Sequence, residues 1–299
     1  MTPIARLVLA FLAALACAFA PEADAQGALG GGRLQIVAAE SVYGDIARQI
    51  GGERVAVSSV MSNPDTDPHL FETTPAVARA LADAQIVIAN GAGYDAWIET
   101  LLKASPRPGR IAIVAAELLH KKTGDNPHLW YDPATMPAVA RALTAALARA
   151  DAAHAVDYEA RLATVLTSLA PIHNKIAEIR IKYAGRPVTA TEPVFGPMAD
   201  ALGLTMRNRS FQLAVMNDTE PGAKEIAAFE NDLRTHRVAV LFYNKQVTGK
   251  LTQRLLDIAR HARVPVVGIA ETQPAGRSYV DWMLGQLNDT EKALAESDS

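Results

Sequence analysis

The sequence predicts an α/β protein of two lobes with mainly parallel sheets, joined by one long helix. Three observations lead there. Short apolar runs alternate with amphipathic stretches on both sides of the chain, the rhythm of strand and crossover helix in a parallel sheet. Between them, from Met136 to Tyr183, the chain turns rich in Ala, Leu, Arg and Glu and loses that rhythm. The chain has 299 residues, 49% of them apolar, enough for about two packed domains of roughly 100–200 residues each.

In the first part, "LQIVAAE" (34–40) reads as a strand. In "SVYGDIARQIGG", Tyr43, Ile46, Ala47 and Ile50 recur at helical spacing before a Gly-Gly stop. "RVAVSSVM" (54–61) alternates as a strand, and "TPAVARALADA" is a helix with Thr74 as its N-cap and proline at its first position. "QIVIANG" is a strand, "YDAWIETLLKAS" a helix and "RIAIVAAE" a strand. The middle holds two helices, the second from about residue 152 to 183, which spans more than about 40 Å and carries Pro171 at a kink or bend. That stretch is either a helical hairpin packed on a core or a stiff connector between lobes. The α/β rhythm then resumes through "RPVTATE", "VFGPMADALGL", "PGAKEIAAFENDLRTH", "VAVLFYN", "KLTQRLLDIARHA" and "VPVVGIAE". The helix "SYVDWMLGQLNDTEKALAE" closes it.

Residues 1–25 carry a basic start at Arg6, an apolar core from Leu7 to Ala20, and small residues at Ala23 and Ala25, the marks of a secretory signal cleaved after Ala25. Acylation of Cys17 is the alternative; Ala14 and the apolar residues after the cysteine fit it less well. Cys17 is the single cysteine, so the mature chain would hold neither disulfides nor thiolate metal sites. The expected organisation is a signal over 1–25, an N-terminal lobe over 26–135, a helical linker over 136–184 and a C-terminal lobe over 185–299. The net charge of −3 and the lack of a long basic run argue against nucleic acid as a partner.

Chemistry in such a fold belongs at strand ends near the lobe interface. Four residues qualify: His69 in "DTDPHLFE", His128 in "DNPHLWYDP", Glu192 in "TATEPVF" and Glu271 in "GIAETQP". Each has a proline adjacent or three residues on, so each sits in stiffened backbone. Two imidazoles and two carboxylates suit a borderline divalent ion: zinc, copper, iron or nickel by the nitrogens, with the oxygens pulling toward manganese and iron.

The pair "DPHLFE" and "NPHLWYDP", the stretch "TEPGAKEIAAFENDL" and the closing "SYVDWM" resemble the metal-binding class of ABC-transporter substrate-binding proteins. The resemblance runs from Leu34 to about Leu294. It implies two α/β lobes bridged by one rigid helix, one buried manganese, zinc or iron(II) ion as cargo, a membrane permease as partner and a monomer in the periplasm. His69 and His128 match the family's first two ligands. Glu192 stands where zinc carriers tend to have histidine and manganese carriers glutamate, and Glu271 where aspartate is usual. Only "HKKTGD" stands where zinc carriers often hold a long His- and acid-rich loop, and Asn244 replaces the usual acidic residue. Glu192 and the missing loop lean to manganese or iron, with a zinc-specific carrier as the alternative.

Plainer roles compete at each position. Glu192 would also suit a helix cap, and Glu271 an exposed loop. Trp130 and Tyr131 would wall the site or simply pack. Asp67, Asn126 and Asp132 would orient the histidines. His120 reads as a solvated surface residue, and His154, His173, His236 and His261 as residues of polar-faced helices. A metal-dependent hydrolase is the less favoured function, because no His-Glu-x-x-His, Gly-x-Ser-x-Gly or phosphate-cradling loop is present. Nothing in the composition supports an adhesin stalk. The expected role is an exported metal carrier that catalyses nothing.

Overall fold

The structure is a computed structural model that describes residues 32–64, 71–217, 219–247 and 249–297; His69 and Asp67 lie outside them. The first lobe runs β1 (Leu34–Glu40), α1 (Ser41–Gly51), β2 (Val55–Met61), α2 (Pro75–Asp83), β3 (Ile86–Ala89), α3 (Ala96–Ala104) and β4 (Ile111–Val114), then a helical turn, α4 (Ala115–Leu118). Its sheet has the order β2-β1-β3-β4, parallel throughout. Strands β1 and β3 are apolar almost end to end because helices cover both faces. Helix α2 starts as its residues dictate: Thr74 accepts the Val77 N–H at 3.3 Å, with proline in the first turn.

Helices α5 (Thr135–Ala150) and α6 (Ala155–Tyr183) follow. The 29 residues of α6 make a rod of about 43 Å. Its buried residues Tyr158, Leu162, Val165, Leu169, Ile172, Ile176 and Ile179 fall at alternating spacings of four and three, one continuous stripe. Pro171 is exposed, so the N–H missing there falls on the side of α6 turned away from that stripe.

The second lobe runs β5 (Pro187–Ala190), α7 (Gly196–Ala201), β6 (Thr205–Met206), α8 (Arg209–Met216), α9 (Ala223–Arg234), β7 (Leu241–Asn244), α10 (Lys250–His261), β8 (Val266–Ile269) and α11 (Tyr279–Glu296). Its sheet, β6-β5-β7-β8, repeats the first lobe's order and parallel sense. In each sheet the first strand is flanked on both sides by later ones, so the connections diverge there and open a crevice at the strands' carboxyl ends. Together these are two parallel-sheet α/β lobes joined by α6.

One core cluster draws on both lobes. It holds Ile36 and Ile88 of the first sheet, the α6 stripe, Phe242 and Ile269 of the second sheet, and Trp282 of α11. Lys175 and Lys182 of α6 both reach Glu291 of α11, with Lys182 Nζ 2.7 Å from Oε1.

Three details depart from the sequence reading. The strand in "RIAIVAAE" ends at Val114, because Ala115–Leu118 takes up a helical turn whose Ala116 N–H donates to the Asn90 carbonyl at 2.9 Å. Strand β6 and helix α8 were not anticipated; a two-residue strand carries no periodic signal. His236 lies just past α9 with φ 54°, rather than on a helix face.

Candidate metal centre

The crevice gathers side chains from the carboxyl ends of several strands. Glu192 follows β5, Asn244 ends β7 and Glu271 follows β8. From the first lobe come Tyr94, after β3, and His128, in the loop between α4 and α5. His128, Glu192, Asn244 and Glu271 are at most 3% exposed.

The ring of His128 is aimed by Asn126. Its Nδ1 lies 2.8 Å from Asn126 Oδ1, and its backbone N–H donates to the same oxygen at 3.1 Å. Asn126 is itself held by donating its Nδ2 to the Pro193 carbonyl, across the lobes, at 2.7 Å. That donation assigns Oδ1 as the acceptor, so the neutral ring carries its proton on Nδ1 and turns the Nε2 lone pair inward. Gly196 leaves room for this bond, since a Cβ there would sit 2.8 Å from Asn126 Nδ2.

Nε2 of His128 is buried and finds no hydrogen-bond partner among the described residues. Oε2 of Glu271 stands 3.3 Å from it. Two acceptors facing each other in a buried place repel unless a cation lies between them. Donors 3.3 Å apart that share one ion at about 2.1 Å each meet it at roughly 100°.

The backbone around the pair is braced. Asn90, at the end of β3, donates Nδ2 to the Pro127 carbonyl at 2.8 Å and accepts the Tyr43 hydroxyl at 2.7 Å. Asp95 takes the N–H groups of Asn90 and Gly91 at 2.6 and 2.8 Å. The turn over Gly91, Ala92 and Gly93, all at positive φ, swings Tyr94 into the crevice. Its hydroxyl donates to Glu271 Oε2 at 3.0 Å. Tyr131 donates to the Ala270 carbonyl at 2.8 Å, just before Glu271, and burial holds its hydroxyl well above the ordinary range, so it stays a donor.

On the other lobe, one amide holds both acids. Asn244 Nδ2 donates to Glu192 Oε2 at 2.9 Å and to Glu271 Oε1 at 2.6 Å. Gln246 Oε1 accepts the Glu271 N–H at 2.6 Å, and the Gln246 N–H donates to Asn244 Oδ1 at 3.0 Å.

The structure thus brings His128, Glu192 and Glu271 into one crevice. Glu192 precedes a 3₁₀ turn yet makes no side-chain cap bond to it, and Glu271 is buried rather than an exposed loop acid. Trp130 is wholly buried, edge-on to His128 with ring centres 5.5 Å apart. Asp132 accepts the Ala134 N–H at 2.9 Å, at the entry to α5. Among the described residues no three His, Cys, Asp or Glu side chains form a metal-holding group, and His69 lies outside them. Sequence reading passed over Tyr94 and Gln246, although each lies in the loop after a strand, where this fold keeps its ligands.

Two lobes on one helix with buried donors between them describe a solute-binding protein of a metal transporter. Among curated relatives, the manganese ABC transporter substrate-binding lipoprotein PsaA of Streptococcus anginosus is 23% identical, with 97% of each chain covered. The periplasmic zinc-binding protein TroA of Treponema pallidum superposes with a TM-score of 0.71 at 18% identity, over 88% of this chain and 99% of that one. A manganese-bound periplasmic metal-binding protein of Candidatus Liberibacter asiaticus gives 0.70 at 18%, over 88% and 100%. The model of the ZnuA family, zinc-uptake complex component A, periplasmic, matches residues 36–293. The chain belongs to this family of metal ABC-transporter substrate-binding proteins.

Proposed function

We propose that this protein captures one divalent transition metal in the crevice between its lobes and delivers it to a membrane permease of the ABC type. His69, His128, Glu192 and Glu271 are its ligands. The observation that carries this is the buried His128 Nε2, without a hydrogen bond among the described residues and 3.3 Å from a Glu271 oxygen. A cation there turns a repulsive contact into two bonds.

The cargo is manganese or iron(II) on the strength of the two carboxylates, with zinc as the second choice. The relatives span that range: PsaA is named for manganese and TroA for zinc. The ligands come from far-apart segments and enclose the ion, which suits transport rather than hydrolysis, where a metal keeps a position open for water. Residues 1–25 direct export, and the carrier works in the periplasm as a monomer. Several relatives are named as lipoproteins, which adds weight to Cys17 as a lipid anchor, the alternative to cleavage after Ala25.

Elemental analysis of protein purified without chelators from the exported compartment tests the proposal, followed by titration of stripped protein with manganese, iron(II) and zinc. One equivalent of metal, lost in His69→Ala and in Glu192→Ala, is the expected result. A chain that holds no metal and gains no thermal stability from any of the three overturns it.

A further inference from the structure

We infer that Tyr131 and Tyr279 form a reciprocal clasp between the lobes that holds His128 and Glu271 at ligating distance before any metal arrives. The inference rests on the carrier function proposed above. Both tyrosines are positioning residues, acting on the ligands through the backbone.

Each ligand loop lends a phenol to the other. Tyr131, in the turn just after His128, donates its hydroxyl to the Ala270 carbonyl at 2.8 Å, in the peptide unit that leads into Glu271. Tyr279, the first residue of α11, donates its hydroxyl to the Trp130 carbonyl at 2.8 Å, in the peptide unit that leads into Tyr131. The two bonds cross the same seam in opposite directions, so neither loop can withdraw from the other without breaking both.

Both peptide units are held on their second edge as well. The Glu271 N–H donates to Gln246 Oε1 at 2.6 Å, and the Tyr131 N–H returns to the His128 carbonyl at 3.2 Å. A pull on either phenol therefore reaches a ligand's own backbone. Asp45 of α1 adds a third tie. Its Oδ2 accepts the Tyr279 N–H at 2.8 Å and Gln273 Nε2 at 3.4 Å, which fastens the segment between Glu271 and α11 to the first lobe.

Tyr131 is wholly buried and Tyr279 is 2% exposed, so water does not compete for either bond. Burial also holds both phenols above the ordinary tyrosine range, so they stay donors while imidazole and carboxylate ligands take up protons. Acid then strips the metal and leaves the clasp shut. The contact so enforced is the 3.3 Å approach of His128 Nε2 to Glu271 Oε2. Folding meets the cost of bringing these two donors together, and the ion does not have to. A bound ion leaves only when the pair separates, which the clasp resists, so its effect falls on dissociation.

The test strips metal from wild type, Tyr131→Phe, Tyr279→Phe and the double variant, loads each with zinc and with manganese separately, and follows loss of the metal to excess chelator. Thermal unfolding of the metal-free forms runs in parallel. Tyr158→Phe is the control, since it deletes a 2.7 Å phenol bond to Asp151 at the far end of α5. The single variants at 131 and 279 are expected to release metal several-fold faster than wild type, and the double variant about tenfold faster or more. Stoichiometry and association rate are expected to stay as in wild type. Tyr158→Phe is expected to lower the unfolding temperature and to release metal at the wild-type rate. Should the double variant fail to fold, the single variants carry the comparison. Variants at 131 and 279 that lose thermal stability yet hold metal as long as wild type have a merely structural defect; that result overturns the clasp and spares the carrier function. Wild-type protein that binds neither metal overturns the carrier function, and this inference with it.

Discussion

His128 Nε2 and Glu271 Oε2 face each other at 3.3 Å, both side chains wholly removed from water, although 143 positions apart in the chain. They arrive from different lobes. The fold has placed two electron-pair donors where a shared proton or metal ion makes their proximity favourable.

If that gap is the cargo site, His128→Ala abolishes stoichiometric metal binding, as does His69→Ala. His236→Ala, on an exposed turn after α9, leaves it intact. Isothermal titration of chelator-stripped protein reads all three, and full-strength binding by His128→Ala would remove the site from this crevice.

Asn126 fixes which ring nitrogen of His128 is bare. Asn126→Ala is expected to weaken metal affinity by about 10–100-fold. Asn126→Asp keeps an acceptor for Nδ1–H but cannot donate to Pro193, so it is expected to fall between alanine and wild type. Equal affinity in the alanine variant would mean the ring needs no such support.

Glu40 ends β1 with both carboxylate oxygens buried and without hydrogen-bond partners among the described residues. Burial, and then the nearby Asp95, hold its carboxyl well above the ordinary carboxylate range. An acid raised on folding leaves stability full below the unfolded pKa and erodes it as pH climbs from there toward the folded value. Glu40→Gln removes that erosion and is expected to stabilise by about 1–3 kcal/mol at pH 8, with the gain shrinking toward pH 4. Thermal unfolding at both pH values measures it; a gain independent of pH would show that charge is not the cause.

Loading is expected to move loops rather than rotate the lobes. The core is continuous across both sheets, and Tyr279 of α11 donates its hydroxyl to the Trp130 carbonyl at 2.8 Å while its N–H reaches Asp45 at 2.8 Å. Small-angle scattering should give the same radius of gyration with and without metal. A clear contraction on loading would mean hinge closure.

Metal affinity is expected to fall as the solution is acidified, because imidazole and carboxylate ligands must be deprotonated to bind. Titrations across a pH series check this, and constant affinity down to the carboxylate range would exclude these ligands.

Much of this protein was legible without its structure because the signals were local. The apolar run 34–40 is β1 to the residue, and Thr74 caps α2 as its position before proline implies. Strand-helix alternation marked both lobes, and the strand ends named His128, Glu192 and Glu271, which the fold gathers in one crevice. These follow from side-chain period and backbone stiffness, which a few neighbouring residues decide. What only the tertiary structure decided is which group touches which. Asn244 stood out in the sequence only as an absent acid, yet it donates to two carboxylates, 52 and 27 positions away. Tyr94 was only the first residue of a predicted helix until its hydroxyl met Glu271, 177 positions on. Hydrogen bonds of that reach depend on how two sheets meet across a shared core, and no local pattern encodes that meeting.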